Sequence, residues 1–319
     1  MFGLRRARKG AAPPPAAAPG RAEGPLVDPD ALLRRLEWTT LRRLDGVLQG
    51  DYRTLFRGFG LDLADLREYQ PHDDVRHIDW NVTARLQTPH VREFQEDREI
   101  SAWFLLDLSG SVDFGSQGIR KRALASDFFA VLARMLARYG NRVGAVLYGD
   151  GPESVLPARA GRKQVLHILD RMLRVGTQRV QRETDLSALI LRAQAVIPRR
   201  SVVFLVSDFL SRPGWEKPLG ALARRHEVVA VRLYDPMELE LPDLGMVVLQ
   251  DAETGEQMFV DTTDPRFRQR FAEAGRRREE ALREALATAG IDCLELATDE
   301  RLDEALLNFT RMRKRRSLM

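Results

Sequence analysis

Cysteine, histidine and long apolar runs are scarce in this 319-residue chain. The single cysteine, Cys293, excludes a disulfide within the chain, and five histidines leave little material for a zinc site. No apolar run approaches the roughly eighteen residues that a membrane-spanning helix needs, so we expect a cytoplasmic protein. With 44% hydrophobic and 30% charged residues, the chain can bury a sizeable core.

The net charge of +4 is concentrated at the two ends of the sequence. Away from those ends, 41 Lys and Arg residues are outnumbered by 46 Asp and Glu residues. We predict no nucleic-acid partner, because nucleic-acid-binding domains usually carry a basic face across the fold. The basic ends could contact an anionic lipid surface or simply keep the chain soluble. Their residues are Arg5, Arg6, Arg8, Lys9, Arg311, Arg313, Lys314, Arg315 and Arg316.

Strand-like and helix-like segments alternate through most of the chain. Apolar runs predict strands at 100–108, 143–148, 154–156, 201–206, 228–233 and 291–296, and amphipathic patterns predict helices at 119–139, 161–174, 186–197, 219–225, 264–289 and 300–313. This alternation predicts an α/β fold with a doubly wound, mostly parallel sheet covered on both faces. Two apolar segments around Glu253-Thr-Gly-Glu256 break the pattern and predict a β-hairpin inserted at about 237–261.

Composition divides the chain into four predicted parts. They are a disordered Pro/Ala-rich lead at 1–27, a helix and irregular segment with short strands at 28–99, the α/β domain at 100–310, and a basic tail at 311–319. In the second part, Asp28-Pro29-Asp30 predicts a helix start. We expect Tyr69 and Trp80 to anchor the irregular segment by burying their rings.

A carboxylate and two hydroxyls, Asp107, Ser109 and Ser111, follow the first predicted strand of the α/β domain. Such small, hard oxygen ligands are what Mg²⁺ or Mn²⁺ prefers. Thr184 precedes a predicted helix, and Asp208 follows a later strand. Because the carboxyl ends of neighbouring parallel strands converge on one crevice, all five side chains could meet at one point. Each could instead be a helix cap or a turn residue.

This order of residues resembles the metal-ion-dependent adhesion site of von Willebrand factor A domains. The resemblance implies that Ser109, Ser111 and Thr184 would bind Mg²⁺ or Mn²⁺ through their hydroxyls. Asp107 and Asp208 would bind the ion directly or through water. The sixth position of the ion would stay open for an acidic group of a partner protein.

An upstream block, 58–85 with Val91-Arg-Glu-Phe-Gln-Glu96, resembles the domain-of-unknown-function 58 family, whose members carry an A-type domain behind it. The block contains Gly58-Phe-Gly-Leu-Asp62 and Asp74-Val-Arg-His-Ile-Asp-Trp80. His72 departs from the family pattern, which has a glycine in its Pro-Gly-Asp turn. Relatives are typically encoded beside MoxR-type AAA+ ATPases, so the resemblance implies such an ATPase as the partner.

The resemblance therefore implies a non-enzymatic, metal-dependent adaptor that works in the assembly or maturation of protein complexes. A second interpretation is a metal-dependent phosphoesterase with Asp107 as nucleophile. Phosphatases of the haloacid-dehalogenase type, however, have Asp where this chain has Ser109, and the chain has no GxxxxGK[ST] loop. The third interpretation is a structural interaction protein whose polar residues cap helices and bind no metal.

Overall fold

The computed structural model describes the α/β domain almost throughout and parts of the segment before it. The described residues are 28–41, 44, 65–71, 73, 75, 78, 80, 83–84, 87–93, 101–116, 118–138, 140–149, 153–175, 183–250 and 256–316. The predicted lead at 1–27 lies outside this set, as do His72 and much of the upstream family block.

The described residues form ten strands and seven α-helices. The strands are β1 (Asp65–Glu68), β2 (His90–Glu93), β3 (Ser101–Asp107), β4 (Arg142–Tyr148), β5 (Ser154–Arg159), β6 (Val202–Ser207), β7 (Glu227–Tyr234), β8 (Met246–Gln250), β9 (Gln257–Asp261) and β10 (Asp292–Ala297). The helices are α1 (Pro29–Leu36), α2 (Lys121–Arg138), α3 (Arg162–Arg174), α4 (Leu186–Val196), α5 (Glu216–Arg225), α6 (Pro265–Thr288) and α7 (Leu302–Arg316). Short 3₁₀ turns follow β3 at Gly110–Asp113 and β7 at Pro236–Glu238.

Six strands form the central sheet in the order β10-β7-β6-β3-β4-β5. Every neighbouring pair is parallel except β4 and β5, which pair antiparallel at one edge. This arrangement confirms the predicted mostly parallel sheet. The chain leaves β3 for β4 on one side and later returns to β6 on the other side. The strand order therefore reverses between β3 and β6, which is where ligand crevices form in open α/β sheets.

Helices cover both faces of the sheet, because successive strand residues point to opposite faces. Phe104 and Leu106 of β3 belong to the core under α1, α2, α3 and α7. Trp103 and Leu105 belong to the core under α4, α5 and α6. Full burial of each large apolar side chain contributes about 1.5–3 kcal/mol, so these two cores hold β3 and β6 firmly side by side.

The segment before the α/β domain contains a helix and a short strand pair, in keeping with the sequence. Asp28 caps α1 by accepting a hydrogen bond from the Asp30 backbone amide, 3.1 Å away. Strands β1 and β2 pair antiparallel. The expected anchoring role of Trp80 is wrong, since that side chain is 69% exposed. Tyr69 is half-buried.

The interruption predicted at 237–261 contains an antiparallel hairpin of β8 and β9 outside the central sheet. Its strands expose Met246 and Phe259, which are 69% and 76% accessible, whereas Val260 is buried. The residues of its turn, 251–255, lie outside the described set. The hairpin thus forms its own two-stranded sheet, which the chain reaches from the central sheet after the 3₁₀ turn that follows β7.

The helix predicted at 300–313 forms at Leu302–Arg316 as α7 and extends into the part predicted to be a basic tail. Arg313 contacts Glu227 at 3.1 Å and Asp292 at 2.8 Å and so ties the helix to the sheet. Among the described helices, none combines the length and apolar character that crossing a bilayer requires.

Candidate functional site

All five predicted site residues are described, and all are buried. Asp107 ends β3, and Asp208 follows the last residue of β6, so the two carboxylates lie on either side of the point where the strand order reverses. The exposed fractions are 0% for Asp107, 6% for Ser109, 4% for Ser111, 2% for Thr184 and 6% for Asp208. The five polar side chains that the sequence pattern singled out are thus held inside the fold.

Asp107 is bound through both of its carboxylate oxygens. The Ser109 backbone amide donates to Oδ1 at 3.0 Å, and the Ser207 hydroxyl donates to Oδ2 at 2.6 Å. Burial raises the pKa of Asp107 to about 6, and the negative charge of Asp208 adds to this rise against the opposing hydrogen bonds. Because Ser207 directly precedes Asp208, its bond to Asp107 brings the ends of β3 and β6, and with them the two acidic residues, together.

The hydroxyls of Ser109 and Ser111 form a close pair, with their Oγ atoms 3.2 Å apart. Ser109 occupies the position before the 3₁₀ turn but makes no side-chain capping bond to it. Helix α2 begins only at Lys121, well beyond both serines. The structure therefore gives no support to the interpretation of Ser109 as a helix cap.

Thr184 lies in the segment that leads into α4. The cap of that helix is Asp185, whose Oδ1 accepts from the Ala188 amide at 3.2 Å, so Thr184 does not have the capping role considered from the sequence. The Thr184 carbonyl accepts from the Arg212 amide and from the Ser211 hydroxyl, both at 3.0 Å. These bonds tie Thr184 to the loop that follows Asp208.

Asp208 contacts a buried lysine that the sequence reasoning missed. The Nζ atom of Lys121, which is 0% exposed, lies 2.7 Å from Asp208 Oδ2 and 2.6 Å from Glu238 Oε1. Burial opposes the charge on Lys121, but Asp208 and Glu238 outweigh it and raise the lysine pKa. One carboxylate of the predicted metal site is therefore already paired with an internal cation.

A signal for this lysine is present in the sequence. Lys121 is followed at helical spacing by Leu124, Ala125 and Phe128, all of which are buried. A lysine on the apolar stripe of an amphipathic helix requires an internal acidic partner. Ser207, the other missed residue, directly precedes Asp208 at the end of a fully buried strand.

The backbone beside Asp208 adopts a strained conformation. Phe209 has a φ of +59°, in the left-handed region that disfavours a bulky side chain. The Ser207 hydroxyl accepts from the Phe209 amide at 2.9 Å, and the Phe209 ring packs against Trp215 with centroids 5.5 Å apart. Residues held in such conformations cost about 1–3 kcal/mol and cluster at functional sites.

The chemistry of the donors fits a small divalent cation. Two carboxylates and two paired hydroxyls supply hard oxygen atoms, as Mg²⁺ and Mn²⁺ prefer. Within the described part of the chain, no group of three or more His, Cys, Asp and Glu side chains is arranged to hold a metal. A metal at this crevice would therefore depend on Ser109, Ser111 and Thr184 for ligands.

Fold and site together define an α/β protein in which buried oxygen atoms line a crevice at the carboxyl ends of the adjacent strands β3 and β6. Residues 65–281 match the family described as "Protein of unknown function DUF58", and the chain belongs to this family. It is 37% identical to an uncharacterized protein of Mycobacterium tuberculosis over 302 residues, which cover 94% of this chain and 95% of that relative.

A shorter relative and two solved structures are also similar. An "Uncharacterized protein in moxR 3'region" of Paracoccus denitrificans is 39% identical over 98 residues, 30% of this chain and 92% of that protein. The conserved hypothetical protein BatB of Bacteroides thetaiotaomicron aligns over 68% of this chain and 99% of its own, with 14% identity and a TM-score of 0.40. An aerotolerance-related membrane protein of Bacteroides fragilis has the same coverage and identity and a TM-score of 0.42. These two structural likenesses are too low to carry an argument.

Proposed function

We propose that this chain is a non-enzymatic protein-binding module of the von Willebrand factor A type. Its crevice would bind Mg²⁺ or Mn²⁺ through the hydroxyls of Ser109, Ser111 and Thr184, with Asp107 and Asp208 binding directly or through water. An Asp or Glu side chain of a partner protein would complete the ligand shell of the ion. Binding of the partner would then depend on the metal and on one acidic residue.

The observation that carries this proposal is the pair of buried hydroxyls beside two buried carboxylates. Ser109 Oγ and Ser111 Oγ are 3.2 Å apart, and Asp107 and Asp208 lie in the same crevice at the ends of adjacent strands. Neither serine has a capping role, and hydroxyls that hydrogen-bond to each other inside the fold keep acceptor lone pairs that a cation could use.

A MoxR-type AAA+ ATPase is the partner that we propose. The support is the name of the Paracoccus denitrificans relative, which places that protein in the 3' region of moxR. An acidic side chain of such an ATPase would be the group that reaches the metal. The module would act with the ATPase in assembling or maturing a protein complex.

Asp107 is poorly arranged for the alternative role of a phosphoesterase nucleophile. Its side chain is wholly buried, and its two oxygens accept hydrogen bonds from the Ser109 amide at 3.0 Å and the Ser207 hydroxyl at 2.6 Å, so a small ion could reach the carboxylate more readily than a bulky phosphoester. A nucleophilic carboxylate needs an oxygen aimed at an incoming phosphorus atom. The geometry thus favours binding over covalent chemistry.

Metal-dependent stabilisation tests the proposal. The protein is prepared in chelator, and its free energy of unfolding is measured with Mg²⁺ or Mn²⁺ added in excess. A ligand at 100 times its Kd should stabilise the folded state by about 2.7 kcal/mol. The Ser109→Ala/Ser111→Ala double variant should lose this gain, whereas Ser201→Ala, just before β6 at the opposite edge of the sheet from the crevice, should keep it.

The partner is tested separately, by capture of a purified MoxR-type ATPase on the immobilised full chain. Capture should require Mg²⁺ and should fail in chelator and with Asp107→Ala. Absence of stabilisation by both metals would refute the metal site and favour the metal-free structural interpretation. Capture that persists in chelator would support the ATPase as a partner but would refute binding through a metal ion.

A further inference from the structure

Lys121 has an unfavourable position that its two acidic neighbours must offset. It is the first residue of α2, where the helix dipole already concentrates positive charge, and its side chain is 0% exposed. A buried ammonium that loses its water is strongly destabilising unless it is paired. Asp208 and Glu238, at 2.7 and 2.6 Å, provide that pairing from two different elements.

The two acceptors differ in how deeply their side chains are buried and in the hydrogen bonds that hold them in place. The Asp208 side chain is 1% exposed and the Glu238 side chain is 22% exposed, so Glu238 is the outer acceptor. Glu238 Oε2 also accepts from the Asp235 amide at 3.1 Å. Asp235 in turn accepts from the Ser116 amide at 2.8 Å and the Thr298 hydroxyl at 2.7 Å. Glu238 is therefore a fixed anchor that can retain the ammonium without Asp208.

We propose that Lys121 sets the affinity of the crevice for a divalent cation by competing with the metal for Asp208. In the metal-free protein its ammonium neutralises Asp208. When a divalent ion binds, repulsion between the two cations moves the ammonium from Asp208 onto Glu238, a small shift for a flexible lysine stem. This inference rests on the proposed metal site.

The mechanism predicts opposite effects for removing the lysine and removing its outer acceptor. Lys121→Gln removes the competitor and leaves an uncompensated acid in the crevice, so Mn²⁺ should bind about tenfold more tightly or better. Glu238→Gln leaves Lys121 dependent on Asp208 alone, so Mn²⁺ should bind several-fold more weakly. Lys217→Gln, an exposed lysine of α5, is the matched control and should leave the affinity unchanged.

Glu238→Gln also removes a negative charge, which would weaken cation binding without any part played by Lys121. The Lys121→Gln/Glu238→Gln double variant separates the two explanations through a double-mutant cycle. If Glu238 acts by retaining the ammonium, Glu238→Gln should have little effect on Mn²⁺ affinity once Lys121 is gone. If Glu238 acts only through its charge, Glu238→Gln should weaken Mn²⁺ binding to the same extent with or without Lys121.

The experiment measures Mn²⁺ binding to the full chain and its variants by the loss of the free-ion electron paramagnetic resonance signal, with folding checked by circular dichroism. Wild-type affinity equal to that of Lys121→Gln, or a Glu238→Gln effect that persists in the double variant, would refute the role of Lys121 but leave the metal site standing. No Mn²⁺ binding to any folded variant would refute the site itself and this inference with it. If Lys121→Gln does not fold, Lys121→Met takes its place in the same double-mutant cycle, and Mn²⁺ binding by Glu238→Gln that is unchanged or tighter overturns the inference.

Discussion

Asp107→Asn should make the metal-free protein more stable above neutral pH, although it removes a residue of the candidate site. Asp107 is wholly buried, and its pKa of about 6 in the folded chain compares with about 3.9 in an unfolded chain. Each unit of difference corresponds to about 1.4 kcal/mol, so ionised Asp107 lowers stability by about 3 kcal/mol. Asparagine carries no charge and avoids this penalty.

The hydrogen bonds around the side chain should survive the substitution. The asparagine carbonyl can accept from the Ser109 amide, and its NH₂ group can donate to the Ser207 hydroxyl. Replacing two bonds to a charged acceptor with neutral ones removes part of the gain. The expected net stabilisation at pH 8 is therefore about 2–3 kcal/mol.

The gain should depend on pH with a defined sign. A carboxyl whose pKa is raised by folding stabilises the protein fully below its unfolded pKa, near 4, and loses that contribution as pH rises through its folded pKa of about 6. The advantage of Asp107→Asn should therefore be small at pH 4 and near its maximum at pH 8.

Urea unfolding in chelator, from pH 4 to pH 8, measures this difference between wild type and Asp107→Asn. Asp299→Asn, at an exposed position, is the matched control and should show no such trend. Adding Mn²⁺ at pH 8 should then stabilise the wild type but not Asp107→Asn. A variant that is less stable than wild type at pH 8, or a difference that does not change with pH, would refute the reasoning.

Two further predictions concern residues away from the crevice. His226 is 4% exposed, and both of its ring nitrogens lack hydrogen-bond partners in the described structure. His226→Leu should raise stability by about 1–3 kcal/mol at pH 7.5. Burial, and to a smaller extent the charge of Arg225, lowers the pKa of His226. The wild type should therefore lose stability as pH falls below about 6.5, the pKa of an unfolded histidine. Urea unfolding at pH 7.5 and 5.5 should show a smaller loss of stability for the variant. Arg313→Met should cost about 1–2 kcal/mol in the same assay, since it breaks the partly buried bonds from α7 to Glu227 and Asp292. Arg311→Met, at an exposed position of α7, should change stability by less than about 0.5 kcal/mol.

The central sheet was predictable because buried parallel strands leave an unambiguous pattern. The run that became β3 is apolar on both faces, and the helix predicted at 119–139 forms at Lys121–Arg138. The residues at which helices and strands begin and end were less predictable, because contacts made in the folded protein determine them. Helix α7, predicted at 300–313, forms at Leu302–Arg316, where Arg313 binds Glu227 and Asp292, which are remote in sequence.

The candidate site was predictable as a set of residues but not as a network. Strand ends identified Asp107 and Asp208, because parallel strands place their carboxyl ends at one edge. Hydrogen bonds between strands, such as that from Ser207 to Asp107, depend on register, which the sequence does not specify. The pairing of Lys121 with Glu238 depends on where the 3₁₀ turn after β7 lies.

Two features of the crevice work against the stability of the fold. Asp107 is buried with its charge close to that of Asp208, and Phe209 has a left-handed backbone. An apolar side chain of similar size in place of a buried charge commonly makes a protein equally or more stable. The Asp107 penalty of about 3 kcal/mol alone is a large fraction of the 5–15 kcal/mol by which domains are stable. Destabilising groups that gather at one topological switch point are typical of binding sites, so the crevice is better explained by a ligand than by the needs of folding.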